Sequence, residues 1–330
     1  MNGAKCWSFG SSQYVQTAVK NVSNYLKERH QNGDTKFSMP NKATTPIQTS
    51  YRPELDVSPV LGPEDSAYHQ SLIGILRWMI EIGRVDICLE GSMLASHMAM
   101  PREGHLEQLF HIFGYLNSHH DTELVFDPTL RDIDENAFEM KDWTTSEFGH
   151  IQGKEEIPSN MPQPRGTRFV ISALVDADHA SDTVSRRSRT GFLVYINSAL
   201  VYWFSKKQNS VESSSFGSEF IAMKQCCEYL RGLRYKLRMM GIPCEDPAYV
   251  FGDNQSVLAN TTVPKSTLKK KSQSICYHFA REGSAQDEWR TAYVNTHQNP
   301  SDLLSKPIPN GQKRRGFVCM VLHHIYGSEE

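Results

Sequence analysis

Apolar residues recur at helical spacing through the first third of the chain. Between Gln13 and Arg29 they fall at Val15, Val19, Val22 and Leu26, which predicts an amphipathic helix. A polar, proline-punctuated stretch from Gln31 to Pro63 reads as a loop or extended arm. The helical period returns over Ser66–Arg84, with Ile73, Leu76, Met79 and Ile80 on one side. It continues over Val85–Ala99 and Gly104–Asn117, where Leu106, Leu109, Phe110 and Phe113 line one face. Glu123–Phe126 reads as a short strand. Asp127–Arg165 is rich in prolines and acidic turns and has little period, as a linker would.

Beyond it the period changes. Arg168–Val175 alternates as a strand and ends at Asp176, and Thr190–Asn197 and Leu200–Ser205 read as two more strands joined by a tight turn at Ser198-Ala199. Ser213–Met240 is a long helical pattern closed by Gly241-Ile242-Pro243, a glycine C-cap followed by proline. Ala248–Phe251 is a strand ending at Asp253, Ser256–Asn260 opens a short helix, and Tyr277–Arg281 sits in another. Thr291–Val294 is a fifth strand and Ser301–Lys306 a last helical turn. The expected fold is α/β: a five-stranded mixed sheet flanked by helices, preceded by a smaller, mainly helical domain. The expected boundaries are 1–135 helical, 136–165 linker and 166–330 sheet domain.

Composition sharpens this picture in two places. The net charge of −2 conceals an asymmetry, because residues 1–164 hold 13 Lys and Arg against 22 Asp and Glu, whereas residues 165–330 hold 22 against 15. A basic half suits a polyanionic partner, since Lys and Arg displace counterions from phosphates. The seven cysteines include no C-x-x-C pair, so buried free thiols in a reducing compartment are expected rather than a disulfide framework or zinc site. No apolar run approaches the roughly 18 residues of a membrane span, and Met1–Ser8 lacks the apolar core of a secretory signal. A cytoplasmic (particle-associated) or nuclear protein is expected, neither secreted nor membrane-bound.

Acids inside the basic half need a reason, and four stand in suggestive places. Asp176 and Asp253 end strands, Glu219 lies in the first turns of the long helix, and Asp302 opens the last one. Open α/β sheets build their sites at the carboxyl ends of strands. If the first and fourth strands are neighbours, Asp176 and Asp253 face each other and the helical acids can close over them. Such carboxylates repel unless divalent cations neutralise them, and hard oxygen ligands favour Mg²⁺ or Mn²⁺. Two ions about 4 Å apart can activate a water and stabilise a departing 3′ oxygen in displacement at phosphorus. Taken singly, each acid has a plainer reading: a strand-end Asp is commonly a turn residue or N-cap, Asp302 suits a helix dipole, and Asp178 and Asp182 compete with Asp176 on residue type.

Three blocks occur in order: Val175-Asp176-Ala177-Asp178-His179-Ala180-Ser181-Asp182, Arg186-Arg187-Ser188-Arg189-Thr190-Gly191-Phe192, and Trp203-Phe204-Ser205-Lys206-Lys207-Gln208. With Ser213–Phe220, Asp253-Asn254-Gln255-Ser256 and Asn299–Lys306, this series resembles the ribonuclease H region of copia-type retrotransposon polyproteins. Tyr68–Trp78, Gly83–Ile87, His105 and Gly114-Tyr115-Leu116 are similar to the segment that follows the reverse-transcriptase palm of that family, so the resemblance covers roughly residues 7–325.

The resemblance implies a ribonuclease H-like fold that binds two Mg²⁺ ions, for which Mn²⁺ can substitute, and hydrolyses the RNA strand of an RNA–DNA hybrid. The metal-binding acids would be Asp176, Glu219, Asp253 and Asp302. His297 would shuttle protons or assist product release, as its intrinsic pKa suits. The palm's Tyr-x-Asp-Asp turn is absent from this sequence, so no polymerase activity is expected of it alone, and a palm from a parent polyprotein is an expected partner. Two departures stand out. Gly217 replaces an acid usual two residues before the helical ligand, and Lys271-Ser272-Gln273-Ser274-Ile275 replaces a Lys-His-Ile-Asp-like segment that bears on hybrid grip or on the local helix. The alternative they leave is a weak or inactive nucleic-acid-binding remnant of the polyprotein.

Arg186, Arg187, Arg189, Lys206 and Lys207 flank the hairpin of the second and third strands. They could hold phosphates of the hybrid with Trp203 in support, or form a solvated hairpin with Trp203 in the core. Lys269-Lys270-Lys271 reads as a solvated loop and Ser213–Ser215 as an N-cap cluster, with no histidine–acid pair set up to activate a serine.

Overall fold

The computed structural model describes residues 5–138, 141–146, 155 and 157–327, and the chain divides into two units. One comprises Trp7–Val125, Asp182–Ser185 and Lys306–Glu330; the other is chiefly Phe126–Ser181 and Arg186–Ser305. The first begins with strand β1 (Trp7–Gly10) and helix α1 (Ser12–Gln31), followed by α2 (Pro63–Glu81), α3 (Cys88–Ala95), α4 (Glu103–Ser118) and strand β2 (Glu123–Phe126), which pairs with β1. Helical periodicity places the core as expected: Val15, Val19, Val22 and Leu26 of α1 are buried with Leu76 and Met79 of α2 and with Leu106, Leu109, Phe110 and Phe113 of α4. The stretch expected as an open arm, Gln31–Pro63, has only a 3-10 turn at Pro53–Leu55, yet Phe37 and Ala43 from it are buried in this core. No helix among the described residues is long and apolar enough to cross a membrane.

The second unit holds the five-stranded sheet. Its strands are β3 (Ile171–Ala177), β4 (Arg189–Ile196), β5 (Ala199–Lys207), β6 (Ala248–Gly252) and β7 (Trp289–Tyr293), interleaved with α5 (Ser215–Met239), α6 (Gln255–Thr262), α7 (Ser274–Ala285) and α8 (Asp302–Ser305). The spatial order is β5-β4-β3-β6-β7, with β4 antiparallel to both β3 and β5, and β3, β6 and β7 parallel. This is the five-stranded mixed sheet anticipated from the sequence. The hairpin turn is set by Asn197, at φ 54, one residue earlier than expected. All of β3 is buried, as befits a central strand: Ile171, Ala173, Val175 and Ala177 join the core formed with Phe220, Met223, Cys227 and Leu230 of α5. Ser214 caps α5, its hydroxyl accepting from the Gly217 amide at 3.4 Å, and Gly241 at φ 72 ends it, as the sequence predicted.

Two segments pack differently from the sequence reading. The last helix, α9 (Gln312–Val321), was not anticipated, and it packs within the helical unit although residues 166–330 read as one domain. It carries Arg314 into a buried ionic group. The Arg84–Asp86 pair, bonded at 2.7 and 2.9 Å, has no exposed surface, Arg314 Nη2 donates to the Asp86 carbonyl at 3.1 Å, and Glu90 lies 3.8 Å from Arg314. Burial opposes the charge of Asp86, but the guanidinium of Arg84 holds its carboxyl below the usual range. Because burying one partner alone costs several kcal/mol, the group fixes how α9 seats.

The expected linker likewise packs against the sheet where it is described; residues 139–140, 147–154 and 156 lie outside the described set. Phe138 stands edge-on to Tyr249 and Phe251, with ring centroids at 4.9 and 5.0 Å, on a face shared with Val170 and Ala292. Glu155 is clasped by Arg234 and Arg238 of α5.

Burial alone would raise the Glu155 carboxyl, but hydrogen bonds from Arg238 and Arg234 overturn that and lower it to about 2 from an ordinary value of 4.5. A depressed carboxyl contributes stability above its unfolded pKa and loses it as pH falls through the folded one. The sheet unit is therefore expected to lose on the order of 2–3 kcal/mol between about pH 4.5 and 2 through this group. Urea unfolding followed across that range should show the loss for the wild type, with a shallower acid limb in Glu155→Gln; identical limbs would remove Glu155 as the cause.

Candidate metal centre

Three carboxylates converge at the carboxyl ends of the two central parallel strands. Asp176 lies on β3, Asp253 directly follows β6, and Glu219 projects from the second turn of α5. Each offers an oxygen within 4.8 Å of the others. β3 and β6 are hydrogen-bonded neighbours, which puts the strand-end acids side by side, and capping Ser214 starts α5 so that Glu219 reaches the same point. Asp176 is buried, at 1% exposure, whereas Glu219 and Asp253 are half-buried.

Neighbouring polar residues do the local capping. Asn254 caps α6, its Oδ1 accepting from the amides of Ser256 and Val257 at 3.1 and 3.2 Å. Asp253 instead accepts a hydrogen bond from Thr296 Oγ1 at 2.8 Å. Asp178 and Asp182 serve the loop between β3 and β4: Asp178 accepts from Ser181 Oγ and the Arg189 amide, and Asp182 from the Ser185 amide at 2.7 Å.

Asp302 opens α8 and is fully buried, but it stands outside the group of three. Its short helix is tied to the site through Ser305, whose hydroxyl donates to Asp176 Oδ2 and lies 3.3 Å from the Asp302 carbonyl. His297 is exposed on the 3-10 turn Thr296–Gln298, next to the threonine that holds Asp253. Sequence reasoning missed Thr296 and Ser305, because nothing in a Thr/Ser/Asn-rich stretch shows which hydroxyl turns towards an acid.

The hairpin residues separate by exposure. Arg186, Arg187 and Lys206 are exposed and Lys207 half-buried, whereas Arg189 is buried in β4 with its Nη1 3.4 Å from Ser205 Oγ. Trp203 is half-buried. Lys270 lies against the capping Ser214 hydroxyl. The altered segment forms a 3-10 turn at Lys271–Gln273 that leads into α7, so the local helix is kept. Where Gly217 lacks the usual acid, the Glu212 side chain occupies the space a Cβ would need.

Three hard oxygen donors crowded this closely repel one another, and a divalent cation of the Mg²⁺ or Mn²⁺ type matches the donor set. No protein-family model matches the chain. Among known proteins it is similar to retrovirus-related Pol polyproteins of transposons. It is 24% identical over 264 residues to that of transposon RE2 and 25% identical over 265 residues to that of transposon RE1, both from Arabidopsis thaliana; each alignment covers 80% of this chain and 15% of the relative. It is also 26% identical over 147 residues to the polyprotein of transposon TNT 1-94 from Nicotiana tabacum, covering 44% of this chain and 11% of the relative. The chain thus spans well under a fifth of the length of these relatives. Among solved structures it is similar to ribonuclease H1 of Halobacterium salinarum, at 17% identity and TM-score 0.32 over 41% of this chain and 93% of that one. It is similar also to the LC11 ribonuclease H1 in complex with an RNA/DNA hybrid, at 11% identity and TM-score 0.34 over 41% and 93%.

Unneutralised repulsion is measurable without any substrate. In EDTA, the sheet unit of Asp253→Asn is expected to melt about 2–4 °C above that of the wild type, the shift that about 1 kcal/mol of relieved repulsion gives a folding unit of roughly 150–250 residues. Added Mg²⁺ should raise the melting temperature of the wild type and have much less effect on the variant. A variant that melts lower in EDTA would argue against crowding of these acids.

Proposed function

We propose that the sheet unit is a ribonuclease H that hydrolyses the RNA strand of an RNA–DNA hybrid. The observation that carries the reading is the meeting of Asp176, Glu219 and Asp253 within 4.8 Å at the ends of adjacent parallel strands. Two divalent ions, when bound, would supply activation of the attacking water and stabilisation of the departing 3′ oxygen, leaving 5′-phosphate and 3′-hydroxyl ends. Asp176, Glu219 and Asp253 would hold them, with Asp302 as a fourth ligand entering from α8.

The other residues divide the remaining work. His297, exposed beside the site, is placed to carry a proton away or to loosen product. Arg186, Arg187, Lys206 and Lys207 are the proposed phosphate contacts; Arg189, being buried, supports the β4–β5 pairing instead. The RNA strand would be recognised by its 2′-hydroxyls across the wide minor groove. A reverse-transcriptase palm from a parent polyprotein is the partner proposed for the helical unit.

Asp176→Asn is expected to bind a hybrid as the wild type does and to lose cleavage by on the order of 100-fold or more, as when one transition-state partner of a catalytic charge is removed. Gel-shift and cleavage assays on the same preparation, with Mg²⁺, measure both. Wild-type cleavage by the variant refutes the site, and a wild type that binds hybrid but never cuts it points to the binding remnant.

A further inference from the structure

We propose that Ser305 is a positioning residue for Asp176: its buried hydroxyl fixes the plane of that carboxylate and so decides which oxygen is presented to the metal ions. The inference rests on the metal-centre reading above.

Asp176 is the most buried of the converging acids, yet an aspartate's terminal torsion is soft and broad. Left to itself, the carboxylate can turn either oxygen, or neither, squarely towards a cation. Ser305 removes that freedom. It is 1% exposed and donates to Oδ2 across 129 residues of sequence. A hydroxyl has one proton to donate, and the neighbouring Asp302 carbonyl is more distant at 3.3 Å, so the proton goes to Asp176. The donor is uncharged, so it orients the acid without competing with a cation for its charge.

The hydroxyl could not do this from a mobile segment. Three contacts hold the stretch that carries it. Asn299 Nδ2 donates to the Val175 carbonyl at 3.0 Å, one residue before Asp176, and Asn299 Oδ1 accepts from the Ser301 amide at 3.3 Å. On the far side Ser205 Oγ donates to the Leu304 carbonyl at 2.6 Å. Beneath lies Gly191, the β4 register partner of Asp176, where a Cβ would stand 2.8 Å from Leu304 and 2.9 Å from the Ser301 carbonyl oxygen. The missing side chain lets α8 come close enough for Ser305 to reach.

The test uses the full chain and Mn²⁺ as the probe, titrated calorimetrically or by electron paramagnetic resonance in the absence of nucleic acid, with melting curves to establish that each variant is folded. Ser305→Ala is expected to weaken Mn²⁺ binding about tenfold, the scale on which partners that orient metal ligands are felt. In cleavage assays it should shift the Mg²⁺ dependence to higher concentration and leave the KM for hybrid unchanged. Ser305→Thr, which keeps the hydroxyl, should restore both. A folded Ser305→Ala with wild-type Mn²⁺ affinity overturns the role of Ser305, as does a folded Ser305→Thr as weak as the alanine variant. A wild type that binds no divalent ion overturns the metal centre itself, and the role of Ser305 with it.

Discussion

Like charges do not gather unless something holds them, and in the sheet unit the convergence of Asp176, Glu219 and Asp253 is the constraint that the surrounding structure answers. Each acid arrives on a different element, so their meeting requires β3 and β6 to be adjacent and parallel and α5 to begin at one definite place. Around them, local chain-end needs are met by other residues. Ser214 caps α5, Asn254 caps α6, and Asn295 caps the turn that bears His297. Asp178, two residues beyond Asp176, accepts from Ser181 Oγ and the Arg189 amide in the loop after β3, a difference that residue type alone does not show.

Much of this was legible in the sequence because periodicity and capping speak locally. The alternation through β3, the glycine stop after α5 and the strand-end positions of Asp176 and Asp253 each depend on a few consecutive residues. What was illegible depends on distant partners. Phe138 and Trp143 are single aromatics in a polar, acidic stretch, with no repeating pattern to mark them as buried, yet Phe138 covers the sheet beside Tyr249. Arg314 stands between Lys313 and Arg315, where nothing local marks one cation for burial, and Asp86 and Glu90 beside it offset the cost of burying its charge. Asp302 illustrates the intermediate case: its place at a helix start was readable, but its standing outside the group of three was not.

The same distinction governs the hairpin of β4 and β5. Arg186, Arg187 and Arg189 look alike in sequence, three cations within four residues. Strand pairing separates them, because Arg189 lies in register with Lys207 inside the ladder while its two neighbours precede the strand. A side chain buried at 6% exposure is closed to a polyanion whatever its charge, so the basic surface is narrower than the count of cations suggests.

That narrowing bears on how a nucleic acid could approach. Three crowded carboxylates repel a phosphate as strongly as they attract a cation, so a polyanionic substrate needs compensation from two directions. Divalent ions at the centre would supply one, by reversing the local sign of charge. Exposed Arg186, Arg187 and Lys206 would supply the other, at the surface, where counterion release favours binding of a duplex without regard to its sequence. The two contributions respond differently to conditions. Added salt screens exposed cations and leaves buried ligands such as Asp176 largely unaffected, whereas removal of divalent ions does the opposite. On the proposed reading, binding and cleavage would therefore be separable: retention of a hybrid under chelation would depend on the hairpin, and scission on the acids.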